Sequence, residues 1–318
     1  MFVGTSRQTK ALLRVLRVSV VKEKLDVAMA YLILVSFVWA FSFPLIKGHL
    51  TGLDPNFVSF ARMILSLLVF LPFLRLRGVG TPMGVKLAVT GAVQFGLMYI
   101  AYISSFQFLP AHTIVLLTTT TPLFVTLFND VSSRKFNALF FVAASMAFLG
   151  GAVIKYPDQA LRASLMGIVL VQISNIAFAF GQIYYKRLSA KSPSWNDRSV
   201  FGLLYLGAVI ITALFSMVTT PFSRLQLTAS QGLVLVYLGI IASGVCFFLW
   251  NKGARFVNEG MLAIMNNLKI PLGIIASLIL LGESTDYLRL VIGFGLMVGA
   301  AYLCEKPGTV PAKQPAHS

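Results

Sequence analysis

Residues 199–220 read SVFGLLYLGAVIITALFSMVTT, a run without a charged side chain and without alternation of polar and apolar positions. About 20 predominantly apolar residues, at 1.5 Å rise each, cross roughly 30 Å of hydrocarbon, so this stretch is long enough to span a bilayer as a helix. In lipid the backbone N–H and C=O groups must be satisfied within the protein, which leaves only helices and closed barrels. A barrel strand alternates lipid-facing and lumen-facing residues, and this run does not. Working outward, nine further stretches have the same character, near 27–46, 56–76, 84–106, 110–129, 136–154, 164–186, 230–251, 259–281 and 287–304. The expected fold is an all-α membrane protein with ten transmembrane helices.

Composition points the same way. With 57% hydrophobic and 11% charged residues and a mean hydropathy of +0.83, the chain does not fit a water-soluble core of ordinary proportions. The net charge of +16 raises nucleic acid as a partner, but the placement of the charges speaks for a membrane instead. With a cytoplasmic N-terminus, 19 of the 26 lysines and arginines fall in cytoplasmic segments, including Arg14, Arg75, Arg134, Lys186 and Arg255. Lys47, Lys155, Arg162, Arg224 and Arg289 fall on the opposite side, and Arg62 and Lys269 lie inside spans. The positive-inside rule then predicts cytoplasmic N- and C-termini and an even number of spans.

Residues 1–26 form a basic cytoplasmic segment in this reading. Within it, 9–24 reads either as an amphipathic helix on the anionic inner leaflet or as a leader preceding a translation start at Met29. Arg14 and Arg17 break the apolar run that a cleaved signal peptide needs. Cys246 and Cys304 imply no disulfide framework, and residues 305–318 read as a cytoplasmic tail.

The two halves of the chain repeat. AFSF (40–43) matches AFAF (177–180) at an offset of 137, while Pro122 with Pro271 and Gly150 with Gly299 match at 149. The first repeat is expected over 27–154 and the second over 164–304. Five spans per copy is an odd number, so the second copy enters the membrane upside down, the arrangement of transporters that hold substrate near the midplane.

The motif VWAFSFPLIK (38–47), Arg62 in FARMILSLL, FLPAHTIVLLTTTTPLF (108–124) and LLGESTDYLRLVIGFGLMVGAAYL (280–303) together resemble the EamA type of the drug/metabolite transporter superfamily. The resemblance covers 27–304 and implies a ten-span transporter in two inverted five-helix repeats.

Buried polar groups in an apolar bundle need a partner, a cavity or a ligand. Gln172, Asn175 and Gln182 share one helical stripe with Ala179, which reads as a pore face or as interhelical amide bonding. Asn266, Asn267 and Lys269 precede Pro271. A helical proline frees the carbonyl four residues earlier, here that of Asn267, and Pro122 does the same for Thr118 in TTTT (118–121). Pro122 and Pro271 are therefore candidate hinges.

A lysine near the bilayer centre costs about 2.5 to 3.5 kcal/mol on insertion scales. Lys269 accordingly reads as facing water or an anionic ligand, or as neutralised by burial. Arg62 reads as a carboxylate ligand or as pairing outward with Asp54. Trp39, on a stripe with Ser36 and Phe43, and Tyr102, with Gln94, Met98 and Ser105, are candidates for cavity walls or for packing. Gly293, Gly295, Gly299 and Ala300 read as a close-packing face, with Gly295 and Gly299 as a small-xxx-small pair.

All ten carboxylates lie at span ends or in loops, which disfavours an antiporter trading protons for lipophilic cations. No P-loop is present, His49, His112 and His317 are scattered, and no catalytic residue, metal site or cofactor is expected. The expected function is a secondary or facilitative carrier, working by alternating access in the cytoplasmic (inner) membrane. Its expected substrates are amino acids or related small carboxylate-bearing metabolites, with export implied by the resemblance. An importer of an anionic or nucleoside-like metabolite and a drug efflux carrier are the alternatives, and a membrane enzyme or assembly protein is the reading from another class. The expected partners are the bilayer and a small-molecule substrate, with a monomer as the working unit and a dimer as the alternative.

Overall fold

A computed structural model describes residues 4–50, 52–109, 114, 117–155, 165–192, 195–281 and 286–305. The polar residues between the apolar runs fix where the helices start. Asp54 accepts from the Phe57 amide ahead of Pro55, and Thr228 and Gln231 form a reciprocal capping box. Asn137, Asn196, Asn258 and Asp286 accept from Phe140, Arg198, Met261 and Arg289. Each satisfies a backbone N–H that the first helical turn leaves without a partner.

The helices are α1 (Gly4–His49), α2 (Pro55–Phe70), α3 (Thr81–Ser105), α4 (Thr121–Ser133), α5 (Ala138–Lys155), α6 (Leu165–Ala190), α7 (Asp197–Thr219), α8 (Ala229–Ala254), α9 (Glu259–Leu281) and α10 (Tyr287–Glu305). Apart from α4, which covers only the later part of the run 110–129, they follow the runs read from the sequence; six of them are long and apolar enough to cross a membrane, and no strand occurs among the described residues. Helix α1 continues unbroken from the basic leader into the first span. Of the expected tail 305–318, Glu305 ends α10 and residues 306–318 lie outside the described residues.

The π-helical segments were not foreseen, and of the two helix breaks expected at prolines only the one before Pro122 is present. Helix α3 contains a π-helical segment at Ala92–Leu97 and α8 one at Leu238–Val245, at corresponding places in the two repeats. Span four is interrupted by a turn at Thr119–Thr120 just before Pro122, whereas α9 runs through Pro271 as a helix.

The contacts obey the exchange of one repeat for the other. Replacing α1 by α6, α2 by α7 and so on turns the pair α1/α9 into α6/α4, α2/α8 into α7/α3 and α3/α6 into α8/α1, and all six pairs pack together. The result is two groups, each with helices from both repeats. Helices α2, α3, α7 and α8 form one and α4, α5, α9 and α10 the other, with α1 and α6 lying between them.

Glycines permit the closest approaches. A Cβ on Gly91 would stand 1.8 Å from the Leu204 carbonyl oxygen, and one on Gly207 would stand 1.8 Å from that of Ala88, which locks α3 to α7. Gly150 packs on the Gly293 carbonyl and Gly299 on Met146, joining α5 to α10. Gly295 faces open space, so the expected Gly295–Gly299 pair is not the packing face.

Candidate functional site

Between the two helix groups lies a cavity with about 610 Å³ of space, counted to its open mouth. Helix α1 contributes Trp39, Ser42 and Ile46, and α6 contributes Ser174, Asn175 and Phe178. The first group supplies Arg62, Met98, Tyr99, Tyr102 and Phe247; Lys269 comes from the second, with Thr118 and Thr121 from span four. Each group thus presents one cation, and no carboxylate lines the cavity among the described residues.

The π segment of α8 organises one wall. Its widened turn leaves carbonyls short of helical donors, and side chains from other helices supply them. Ser66 donates to Gly239 O, the Trp39 indole N–H to Ala242 O at 2.8 Å, and Tyr205 to Ser243 O and Gly244 O. The side chain of Ser243 lies in the same cluster. Arg62 Nε donates to its Oγ at 3.1 Å, and Tyr99 Oη lies 3.0 Å from that oxygen. Arg62 Nη2 donates to Tyr99 Oη at 2.6 Å, and the guanidinium stands 4.2 Å above the Tyr99 ring. Arg62 is 2% exposed. It does not reach Asp54, which instead caps α2 and accepts from Thr220.

The break in span four organises the facing wall. Leu117 O accepts from Asn175 Nδ2 and Thr120 Oγ1, Thr118 O from Thr121 Oγ1, and Thr119 O from Asn267 Nδ2 at 3.1 Å. Asn267 Nδ2 also donates to Ala147 O. Lys269 Nζ sits 5.8 Å from the Trp39 ring centroid, within cation–π range. Trp39, Phe178 and Phe247 form an aromatic cluster between the walls, with Trp39 to Phe247 at 5.0 Å.

Of the residues singled out from sequence, the structure brings Trp39, Arg62, Tyr102, Thr118, Asn175 and Lys269 to one cavity. It places the other amides behind the wall. Gln94 and Asn251 exchange reciprocal hydrogen bonds at 2.9 and 3.1 Å. Gln182 accepts from Trp250 and pairs with Asn266, while Gln172 accepts from Thr120. Sequence reasoning missed Ser42, Ile46, Tyr99, Ser174, Phe178, Phe247 and Ser243. Ser42 and Ile46 follow Trp39 at helical spacing and were within reach of the pattern, whereas nothing local marks Tyr99 or Ser243.

The two ends of the helix bundle differ. Ile46 also lines a second hollow formed with Leu50, Asp54, Ile103, Phe106 and Pro221, near the α1–α2 connection. At the opposite end, Tyr185 and Trp195 donate to Asp197, which is paired with Arg255. Lys186 pairs with Glu259 at 3.0 Å, and Arg187 donates to Asn129. The C-terminal turns of α6 are thereby tied to both helix groups.

The described helices, in two inverted repeats around a cavity lined by polar and aromatic side chains, have the architecture of a multi-pass membrane transporter, and sequence comparison gives the family. The profile of the EamA-like transporter family matches residues 27–156 and again 165–304. A Pseudomonas aeruginosa protein named "Probable biotin transporter" is 38% identical over 86% of this chain and 96% of its own length. The "Biotin transporter" of Salmonella typhimurium is 35% identical over 87% of this chain and 93% of its own, and that of Escherichia coli K12 is 34% identical over the same shares. A crystal structure aligns with a TM-score of 0.70 at 17% identity, covering 89% of this chain and 96% of the other, and shares the fold. The chain belongs to the EamA-like transporter family.

Proposed function

We propose that the protein carries a small carboxylate-bearing metabolite of the biotin kind across the cytoplasmic membrane by alternating access. The observation that carries this reading is the charge of the cavity: two cations line it, and none of the described lining residues is an acid. Ionised groups in a membrane interior are costly without a partner, and an anionic ligand supplies one. The aromatic walls suit an aliphatic or ring-shaped body. Biotin combines a carboxylate with such a body, and the names of three relatives point to the same compound.

Amino acids, the first expectation from sequence, fit less well. Their ammonium group needs an acceptor such as a carboxylate, and none of the described lining residues supplies that charge. The same argument weighs against a drug cation.

The two helix groups with α1 and α6 between them support a rocking motion about those two helices. The network at Tyr185–Arg187, Asp197, Arg255 and Glu259 closes one end. By the positive-inside rule that end is cytoplasmic, which has the cavity facing outward. Since one chain supplies both repeats and all the described lining of the cavity, the working unit is a monomer.

The test is counterflow of labelled biotin by purified protein in liposomes, loaded in turn inside and outside to give the direction, for which export is the expectation from the resemblance. Saturable accumulation, competed by biotin and not by amino acids or quaternary cations, is expected. Amino-acid or cation flux that carboxylates fail to compete, or no biotin flux at all, would reject the reading.

A further inference from the structure

The two cavity cations are not equivalent. Arg62 is sealed into its wall: Nε is held by Ser243, Nη2 by Tyr99, and Nη1 is buried without an acceptor. Its plane lies against the Tyr99 ring. Lys269 is only partly buried, lies near the face of Trp39, and has no carboxylate or hydrogen-bond acceptor among the described residues. An ammonium on a flexible stem reaches a ligand without dismantling a hydrogen-bond network, whereas the guanidinium does not.

We propose that Lys269 binds the substrate carboxylate and that Arg62 is a positioning residue, holding Tyr99 and Ser243 against the π segment of α8. This rests on the reading of the cavity as a carboxylate site, and it narrows the substrate class. One reachable cation, among described lining side chains that are neutral apart from the engaged Arg62, accommodates one carboxylate, so the carrier prefers monocarboxylates. A second carboxylate on the same body would meet only neutral hydroxyl, amide and aromatic groups and lack a cation to offset its desolvation.

The experiment is a charge-deletion cycle on purified protein, with binding measured for biotin and for its neutral primary amide, and in parallel for heptanoate, heptanamide and the dicarboxylate pimelate. Wild type is expected to bind each monocarboxylate at least tenfold more tightly than its amide, and more tightly than pimelate. Lys269→Gln should abolish that preference by weakening the acid about tenfold while leaving the amide unchanged, and Lys269→Arg should restore part of it. Arg62→Gln should weaken acid and amide alike.

Preference that survives Lys269→Gln and disappears in Arg62→Gln would reverse the assignment. Equal loss of both ligands in Lys269→Gln, without recovery in Lys269→Arg, would make Lys269 structural and overturn the proposal. If biotin fails to bind while the heptanoate pair shows the pattern, the biotin reading falls and the subsite stands. If wild type binds no carboxylate in the set, both fall.

Discussion

Replacing Gly207 by alanine tests the packing that unites α3 with α7. The added Cβ would stand 1.8 Å from the carbonyl oxygen of Ala88, where ordinary contact begins at about 3.4 Å. The obstacle is backbone inside a helix, which cannot rotate aside as a side-chain tip would, so the helices must separate. Overpacking typically costs 1 to 3 kcal/mol, and a backbone obstacle belongs at the upper end, at about 3 kcal/mol. On the scale of roughly 2 to 4 °C per kcal/mol for large domains, Tm should fall on the order of 6 to 12 °C. Gly91→Ala meets Leu204 O at the same 1.8 Å and should behave alike. The two glycines lie on one interface, so the double variant should lose less than the sum, because the first substitution has already opened the gap. The assay is thermal unfolding of purified protein in detergent, with Gly295→Ala as control, since nothing lies within 4 Å of that Cβ. A Gly207→Ala protein melting within 1 to 2 °C of wild type, about the shift of the control, would refute the close approach of α3 and α7.

Three other outcomes follow from the same geometry. Gln94→Leu or Asn251→Leu alone leaves a buried amide without its partner and should cost about 1 to 3 kcal/mol, whereas the double variant should recover most of that loss; two additive losses in thermal unfolding would contradict the pairing. Trp39→Phe keeps the aromatic contacts but removes the donor to Ala242 O, and should lower stability by about 1 kcal/mol, read as a shift in Tm. Asp197→Asn removes the charge that pairs with Arg255, and Glu259→Gln the one that pairs with Lys186. Each should loosen the closed end, seen as faster reaction of a cysteine placed at Ser42 with a thiol reagent applied from that side, and unchanged labelling in both variants would deny the network a gating role.

Much of the membrane architecture was legible because its causes are local. A run such as 199–220 is apolar over a whole span whatever it packs against. The repeat was legible for the same reason, since Pro122 with Pro271 and Gly150 with Gly299 recur at one spacing. Lys269 and Arg62 stood out because a charge inside a span is conspicuous against hydrocarbon.

The amides show where local reading stops. A glutamine or asparagine in a span meets the same desolvation cost by facing a cavity or by bonding to another helix. Asn175 and Gln182 share one stripe, yet the first lines the cavity and the second is turned to Trp250 and Asn266. The π segment of α8 takes donors such as Trp39 and Tyr205 from distant parts of the chain.

By itself, then, the sequence determined an all-helical, ten-span membrane protein in two repeats, together with the two charged residues inside the spans, because hydropathy and helical period are properties of neighbouring residues. Which helices pack together, which end of the helix bundle is tied together, and which cation a ligand reaches were decided only by the tertiary structure. These depend on contacts such as Arg62 with Ser243 and Lys269 with Trp39, between residues far apart in the chain whose meeting no local pattern encodes.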